Sequence, residues 1–185
     1  MVLRAQYPEG AERGRGVKRD LIVASALVAV LVAIVIVETH WPNLLLFGGV
    51  KPDLMLLLVL YFSFSEGPAK AIGVGLVGGF LQDIFSLGLV GLNIFCKVLL
   101  GYTVGVVSTR LVTEHPVVMT SIAFLSTICQ AALFVLLSFL HRDEVPVKLM
   151  FVHVGVPTAF YTSVLAPACF YCMDRLWRKV GEHAG

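Results

Sequence analysis

Recurring apolar runs separated by polar breaks leave this chain few folds to choose from. They cover residues 21–37, 54–64, 69–81, 92–108, 117–140 and 151–173 of 185. With 58% apolar and 14% charged residues, and a mean hydropathy of +0.89, a soluble domain would lack the polar groups to cover its own surface. Lipid must be the solvent. The expected fold class is an all-α polytopic membrane protein, a bundle of about six transmembrane helices. At ~1.5 Å rise per residue the second and third runs reach only about 17 to 20 Å, short of a ~30 Å hydrocarbon core. Flanking residues are therefore expected to extend them, with Pro52 and Pro68 at the helix starts. A competing parse makes 44–64 one helix with Lys51-Pro52-Asp53 inside it, where placing the polar triplet in lipid would cost several kcal/mol.

Six spans put both termini on one side of the membrane, and basic residues choose which side. Ten of them (Arg4, Arg13, Arg15, Lys18, Arg19, Lys70, Arg110, Arg175, Arg178 and Lys179) fall on the terminal side, whereas Lys51, Arg142 and Lys148 fall on the other. Both termini are thus expected in the cytoplasm. Residues 1–20, with three glycines and mixed charge, read as a disordered cytoplasmic leader. The transmembrane domain then spans 21–176, and 177–185 form a cytoplasmic tail. No small-residue cleavage site follows the first run, so that span is expected to stay as an anchor. Trp41 suits an outer interfacial belt and Trp177, beside Arg175, Arg178 and Lys179, an inner one. The segment 38–50 between the first two spans reads as lying on the outer membrane surface.

Small residues spaced by four let helix backbones approach in lipid. Ala71, Gly75 and Gly79 form one such stripe, and Lys97, Gly101 and Gly105 another. Two such stripes on consecutive antiparallel helices predict packing on each other or on a partner. Charged groups at membrane depth need partners too. Asp83 closes the third span and Lys97 lies early in the fourth, so a hairpin pair between them is one expectation. The other is that Lys97 snorkels alone to the outer interface. Gln130, mid-way along the fifth span, reads as an interhelical hydrogen-bonding group.

Catalytic signatures are missing: the sequence holds no HExxH, GxSxG or Walker A pattern. Its five histidines are scattered. Cys169 and Cys172 form a CxxC among apolar neighbours in the last span, where cysteines behave as small hydrophobes, and Cys96 and Cys129 read the same way. No enzyme activity, cofactor, metal or nucleic-acid partner is expected.

One block of about 60 residues resembles a known family. Lys51-Pro52-Asp53-Leu54 precedes an aliphatic run ending in Tyr61-Phe62. Glu66-Gly67 follows, then Gly75, Gly78-Gly79-Phe80, Gln82-Asp83, Gly88, Gly91-Leu92 and Gly101-Tyr102. In order and spacing this is similar to the bacterial rod-shape-determining membrane protein family MreD, although Lys97 is not part of that pattern. The resemblance implies a non-enzymatic inner-membrane scaffold of the cell-elongation (rod) complex, which maintains cell shape during lateral peptidoglycan synthesis. It implies direct docking of MreC, and less directly MreB and RodA with its transpeptidase. The Gly75/Gly79 and Gly101/Gly105 stripes would then be docking faces for MreC or for a second copy, with Lys51, Pro52, Asp53 and Glu66 at the ends of the short second span. In architecture the chain also resembles the substrate-binding S components of energy-coupling-factor vitamin transporters. That alternative needs polar and aromatic groups converging in the outer half of the bundle. From the sequence the candidates are Glu38, His40, Trp41, Asn93, Lys97 and His153, with no evident cluster.

The charge bias makes a direct prediction. Reporter fusions at either terminus should score as cytoplasmic, and a periplasmic terminus would break the six-span topology.

Overall fold

The computed structural model describes residues 9–40, 49–85, 91–108, 116–140 and 151–184. They form six α-helices: α1 (Glu9–Thr39), α2 (Leu54–Ser65), α3 (Pro68–Phe85), α4 (Leu92–Ser108), α5 (Pro116–Leu140) and α6 (Val156–Ala184). A π-helical turn, Phe151–Gly155, leads into α6. The all-helical expectation holds, and two of the helical segments, Val117–Leu137 and Phe151–Lys179, are long and apolar enough to cross a membrane.

Helix α2 occupies the centre and touches all five others. Every residue from Met55 to Ser63 is buried, so this helix has no solvent face and no amphipathic stripe. Only its ends carry polarity. Asp53 is the N-cap, its side chain accepting from the Leu56 N–H at 2.7 Å, the standard way to satisfy a donor that a helix start leaves open. At the other end Glu66 closes the helix by donating its N–H to the Phe62 carbonyl. Gly67 then takes φ +83°, a left-handed conformation open to glycine at little cost. With Pro68 at the first position of α3, where its missing N–H costs nothing, the chain turns within two residues.

Several boundaries differ from those the sequence suggests. Helix α2 is not extended: residues 51–53 are non-helical, because Asp53 ends it by capping. The one-helix parse of 44–64 is excluded for the same reason. Helix α3, by contrast, runs from Pro68 through Phe85, longer than its apolar run at both ends. Residues from Glu9 onward continue α1, where the sequence suggests a leader without structure, and α6 continues to Ala184 through the expected tail. Helix formation is cooperative, so an established apolar helix extends into flanking polar sequence at small cost. Trp41, Arg110, Arg142 and Lys148 lie outside the described residues.

The glycine stripes meet each other. Helices α3 and α4 are the most extensively packed pair, and the glycines are where their backbones touch. A methyl group on Gly79 would sit 2.6 Å from the Ile94 Cα, and one on Gly75 3.0 Å from the Lys97 carbonyl carbon. On α4 a methyl on Gly101 would meet Val59 Cγ1 at 2.9 Å and the Ala71 carbonyl oxygen at 3.2 Å; on Gly105 it would meet Pro68 Cα at 2.6 Å. Most of these contacts are with backbone, which cannot swing aside. The inward stripes are therefore filled within the hairpin. The large apolar side chains of α3 and α4, including Leu76, Phe80, Ile84, Phe95, Leu99 and Tyr102, point outward and are exposed.

Overpacking of a close seam typically costs ~1–3 kcal/mol. Gly79→Ala and Gly105→Ala should each lower stability in detergent by about that much. Gly73→Ala, on the same hairpin with open space around its added methyl, should not. Equal tolerance of all three would mean that the seam is not close-packed.

Candidate functional site

Among the described residues, two sets of polar groups meet at the N-terminal end of α2, one gathered on Asp53 and one on Glu38. A helix start leaves backbone N–H groups without partners and carries partial positive charge, so buried carboxylates are favoured there. Two are present. Asp53 Oδ1 takes the Leu56 N–H, and Glu38 Oε1, from the end of α1, takes the Met55 N–H at 3.0 Å.

Each carboxylate uses its second oxygen to reach further helices. Asp53 Oδ2 accepts from Lys97 Nζ of α4 at 3.1 Å and from Gln130 Nε2 of α5 at 2.6 Å. The Asp53 backbone N–H donates to Thr162 Oγ1 of α6 at 3.1 Å. Glu38 Oε2 accepts from Gln82 Nε2 of α3 at 2.6 Å, and Lys51 Nζ donates to the Glu38 carbonyl at 2.9 Å. All five outer helices are thereby tied to one turn of α2.

Lys97 is fully buried, so snorkelling to the interface does not describe it. Its ion pair is with Asp53 rather than with Asp83 as the hairpin geometry suggested. Asp83 caps α4 from the end of α3 instead. Its oxygens accept from the N–H groups of Gly91, Asn93 and Ile94 at 2.8, 3.2 and 3.3 Å. Asn93 links the two carboxylates, donating Nδ2 to Asp83 at 2.9 Å and accepting from Lys97 at 3.5 Å. The reason for the change of partner is direct: Asp83 is occupied by the first turn of α4, while Asp53 would otherwise be a buried charge with no cation.

A second, smaller polar group lies at the other end of α2. Glu66 accepts from Trp177 Nε1 at 3.0 Å and pairs with Lys70 one turn on. The Trp177 ring packs edge-on against Phe62 at 5.0 Å, so the tryptophan docks α6 on α2. Ser63 and Ser108 join α2 to α4 through carbonyls, Ser63 Oγ to Gly101 at 3.1 Å and Ser108 Oγ to Ser63 at 3.0 Å.

Beside the Asp53 network lies a cavity of about 560 Å³, lined among others by Val35, Glu38, Lys51, Asp53, Gln82, Asn93, Gln130 and Phe134. A cleft of about 190 Å³ adjoins it through Gln130, Phe134, Val154 and Thr158. The sequence showed no cluster among Glu38, Asn93 and Lys97, yet the fold brings them together with Asp53, Gln82 and Gln130. His40 and His153 are exposed and take no part. Sequence reasoning placed Glu38 only among the candidates for a polar pocket, and it missed Gln82 and Thr162 as members. The usable signals were a lone carboxylate ending an apolar run and a glutamine beside Asp83. Among the described residues no three histidine, cysteine, aspartate or glutamate side chains are placed to hold a metal. The four cysteines are free thiols.

Residues 18–180 match the family described as rod shape-determining protein MreD. The match covers most of the chain, which therefore belongs to that family of membrane proteins that determine rod shape. No curated protein and no solved structure matches the chain.

Removing one partner of a buried ion pair typically costs ~3–5 kcal/mol. Lys97→Met and Asp53→Asn should each cause a loss of about that order, and the double variant should lose less than their sum by ~1–3 kcal/mol. Asp83→Asn combined with Lys97→Met should come closer to additivity. Unfolding of the purified chain and these variants in mixed micelles measures the losses, and stronger coupling of Lys97 to Asp83 than to Asp53 would reverse the pairing.

Proposed function

We propose that the chain is a non-enzymatic scaffold of the bacterial rod complex. It spans the inner membrane six times with both termini in the cytoplasm and docks MreC directly, with MreB and RodA and its transpeptidase as further members of the assembly. The family match over residues 18–180 carries this reading. The fold supports it, because the Asp53 and Glu66 groups are engaged in holding helices rather than arranged about a reacting atom. Since the glycine stripes pack against each other, the docking face for the single span of MreC moves to the outward side of the α3–α4 hairpin. Leu76, Phe80 and Ile84 form an exposed ridge there, spaced by four. In lipid, helix association rests on shape and close packing, which such a ridge supplies.

A second reading, the S component of a vitamin transporter, draws support from the polar cavity beside Asp53. Gene neighbours separate the two: a frame encoding one span and a coiled coil accompanies a scaffold, a pair of ATPases an uptake system.

The docking ridge is tested by co-purification. Large buried anchors dominate interface energies, so Phe80→Ala with Ile84→Ala should cut recovered MreC roughly tenfold and round the cells. Leu125→Ala, exposed on α5, should leave both unchanged. Full recovery of MreC with the α3 double variant would exclude this face.

A further inference from the structure

We propose that the cavity beside Asp53 binds a small zwitterion through its primary ammonium group. The inference rests on donor and acceptor chemistry and does not depend on the scaffold reading. Two side-chain atoms among the described residues are buried without a hydrogen-bond partner, Gln82 Oε1 and Gln130 Oε1. Both glutamines line the same cavity, and Gln130 is only 9% exposed. Their orientation is fixed by chemistry: each gives its Nε2 to a carboxylate, Glu38 or Asp53, and an ionised carboxylate can only accept. The amide oxygens must therefore be the free atoms. Buried polar atoms without partners are rare in native proteins and signal a missing group.

The missing group must donate. The Gln82 and Gln130 amides, the Lys97 ammonium and the Asn93 amide already give protons to acceptors within the cluster, while acceptors remain open. A primary ammonium offers three donors on one atom, which suits an open amide oxygen. The charges decide the rest. Lys97 pairs with Asp53, whereas Lys51, an exposed residue lining the cavity, gives its Nζ to the Glu38 backbone carbonyl and to no carboxylate. A zwitterion meets both needs, with its ammonium at the open amide oxygens and its anionic part beside Lys51. The size fits as well: about 560 Å³ lies within the ~300–1,000 Å³ of typical ligand sites. Val35, Val50, Phe85, Phe134 and Val154 supply an apolar wall, suited to the carbon part of the ligand. This chemistry is shared by an ethanolamine-headgroup lipid and by a free zwitterionic amine.

Native mass spectrometry of the full chain can test it, with phosphatidylethanolamine and phosphatidylcholine offered as competing lipids and soluble phosphoethanolamine as a third probe. The choline headgroup carries the same charges but no N–H donor. Charge-assisted hydrogen bonds are strong enough that their loss should lower retention roughly tenfold. Thr158→Phe, which fills the cavity wall, should abolish the preference; Val154→Trp, built from an exposed position, does the same if the first variant fails to insert. Displacement of the lipid by phosphoethanolamine would identify a free amine as sufficient, and binding of the lipid alone would identify the headgroup in its membrane context; either supports the site. Equal retention of the two lipids with no binding of phosphoethanolamine, or a preference untouched by both variants, would overturn it and leave water as the occupant.

Discussion

Everything in this bundle is referred to the first turn of α2. A helix buried on all sides from Met55 to Ser63 cannot be positioned by amphipathicity, because it has no polar face to turn outward. In lipid the problem is sharper, since the surrounding chains are as apolar as leucine and give no penalty for rotation or sliding. Position must come from the ends. Asp53 and Glu38 bring the needed polarity to one end, and through Lys97, Gln130, Thr162 and Gln82 they set the register of four further helices. Glu66 and Trp177 hold the other end.

The length of α2 explains why the network has to be so complete. Twelve residues at ~1.5 Å each give roughly 18 Å, against a ~30 Å hydrocarbon core. In the six-span arrangement proposed above, at least one charged end would then lie below the membrane surface, where an unsatisfied group costs several kcal/mol. A buried ion pair does not by itself add stability over well-packed apolar residues; its better-attested use is to specify one arrangement among many. That is the role the geometry gives to Asp53 and Lys97. Attraction between helices comes from elsewhere, chiefly the glycine seam of α3 and α4 and the close contact of α2 with its neighbours.

The helices and the small-residue faces of α3 and α4 were legible because both depend on local periodicity, while the choice between packing on each other and packing on a partner stayed open. Apolar runs mark helices, and small residues every fourth position mark a face, without knowledge of what lies opposite. Partner choice was not legible for Lys97. Sequence proximity favoured Asp83, eight residues before Gly91 and in the same hairpin, whereas Asp53 stands 44 residues away on a different helix. Asp83 was instead drawn to the N–H groups of Gly91, Asn93 and Ile94, and a requirement for capping is invisible until the start of α4 is placed. Glu38 was among the candidates for a polar pocket, but its capping role was hidden for a related reason. At the end of an apolar run it resembles any interfacial acid, and only the meeting of α1 with the start of α2 makes it a cap.

The same constraint shapes the outer surface of the protein. Gln82, which fixes α3 to Glu38, lies between Phe80 and Ile84 along the helix, and the glycines that seat α3 on α4 lie one and five residues before Phe80. Because successive side chains on a helix are offset by ~100°, fixing Gln82 inward and Gly75 and Gly79 against α4 leaves Leu76, Phe80 and Ile84 no orientation but outward. Any change that loosens the Glu38–Gln82 bond or opens the seam would therefore act on the orientation of that ridge. The face proposed to meet a membrane partner is thus oriented by polar contacts inside the bundle, several residues removed from that surface.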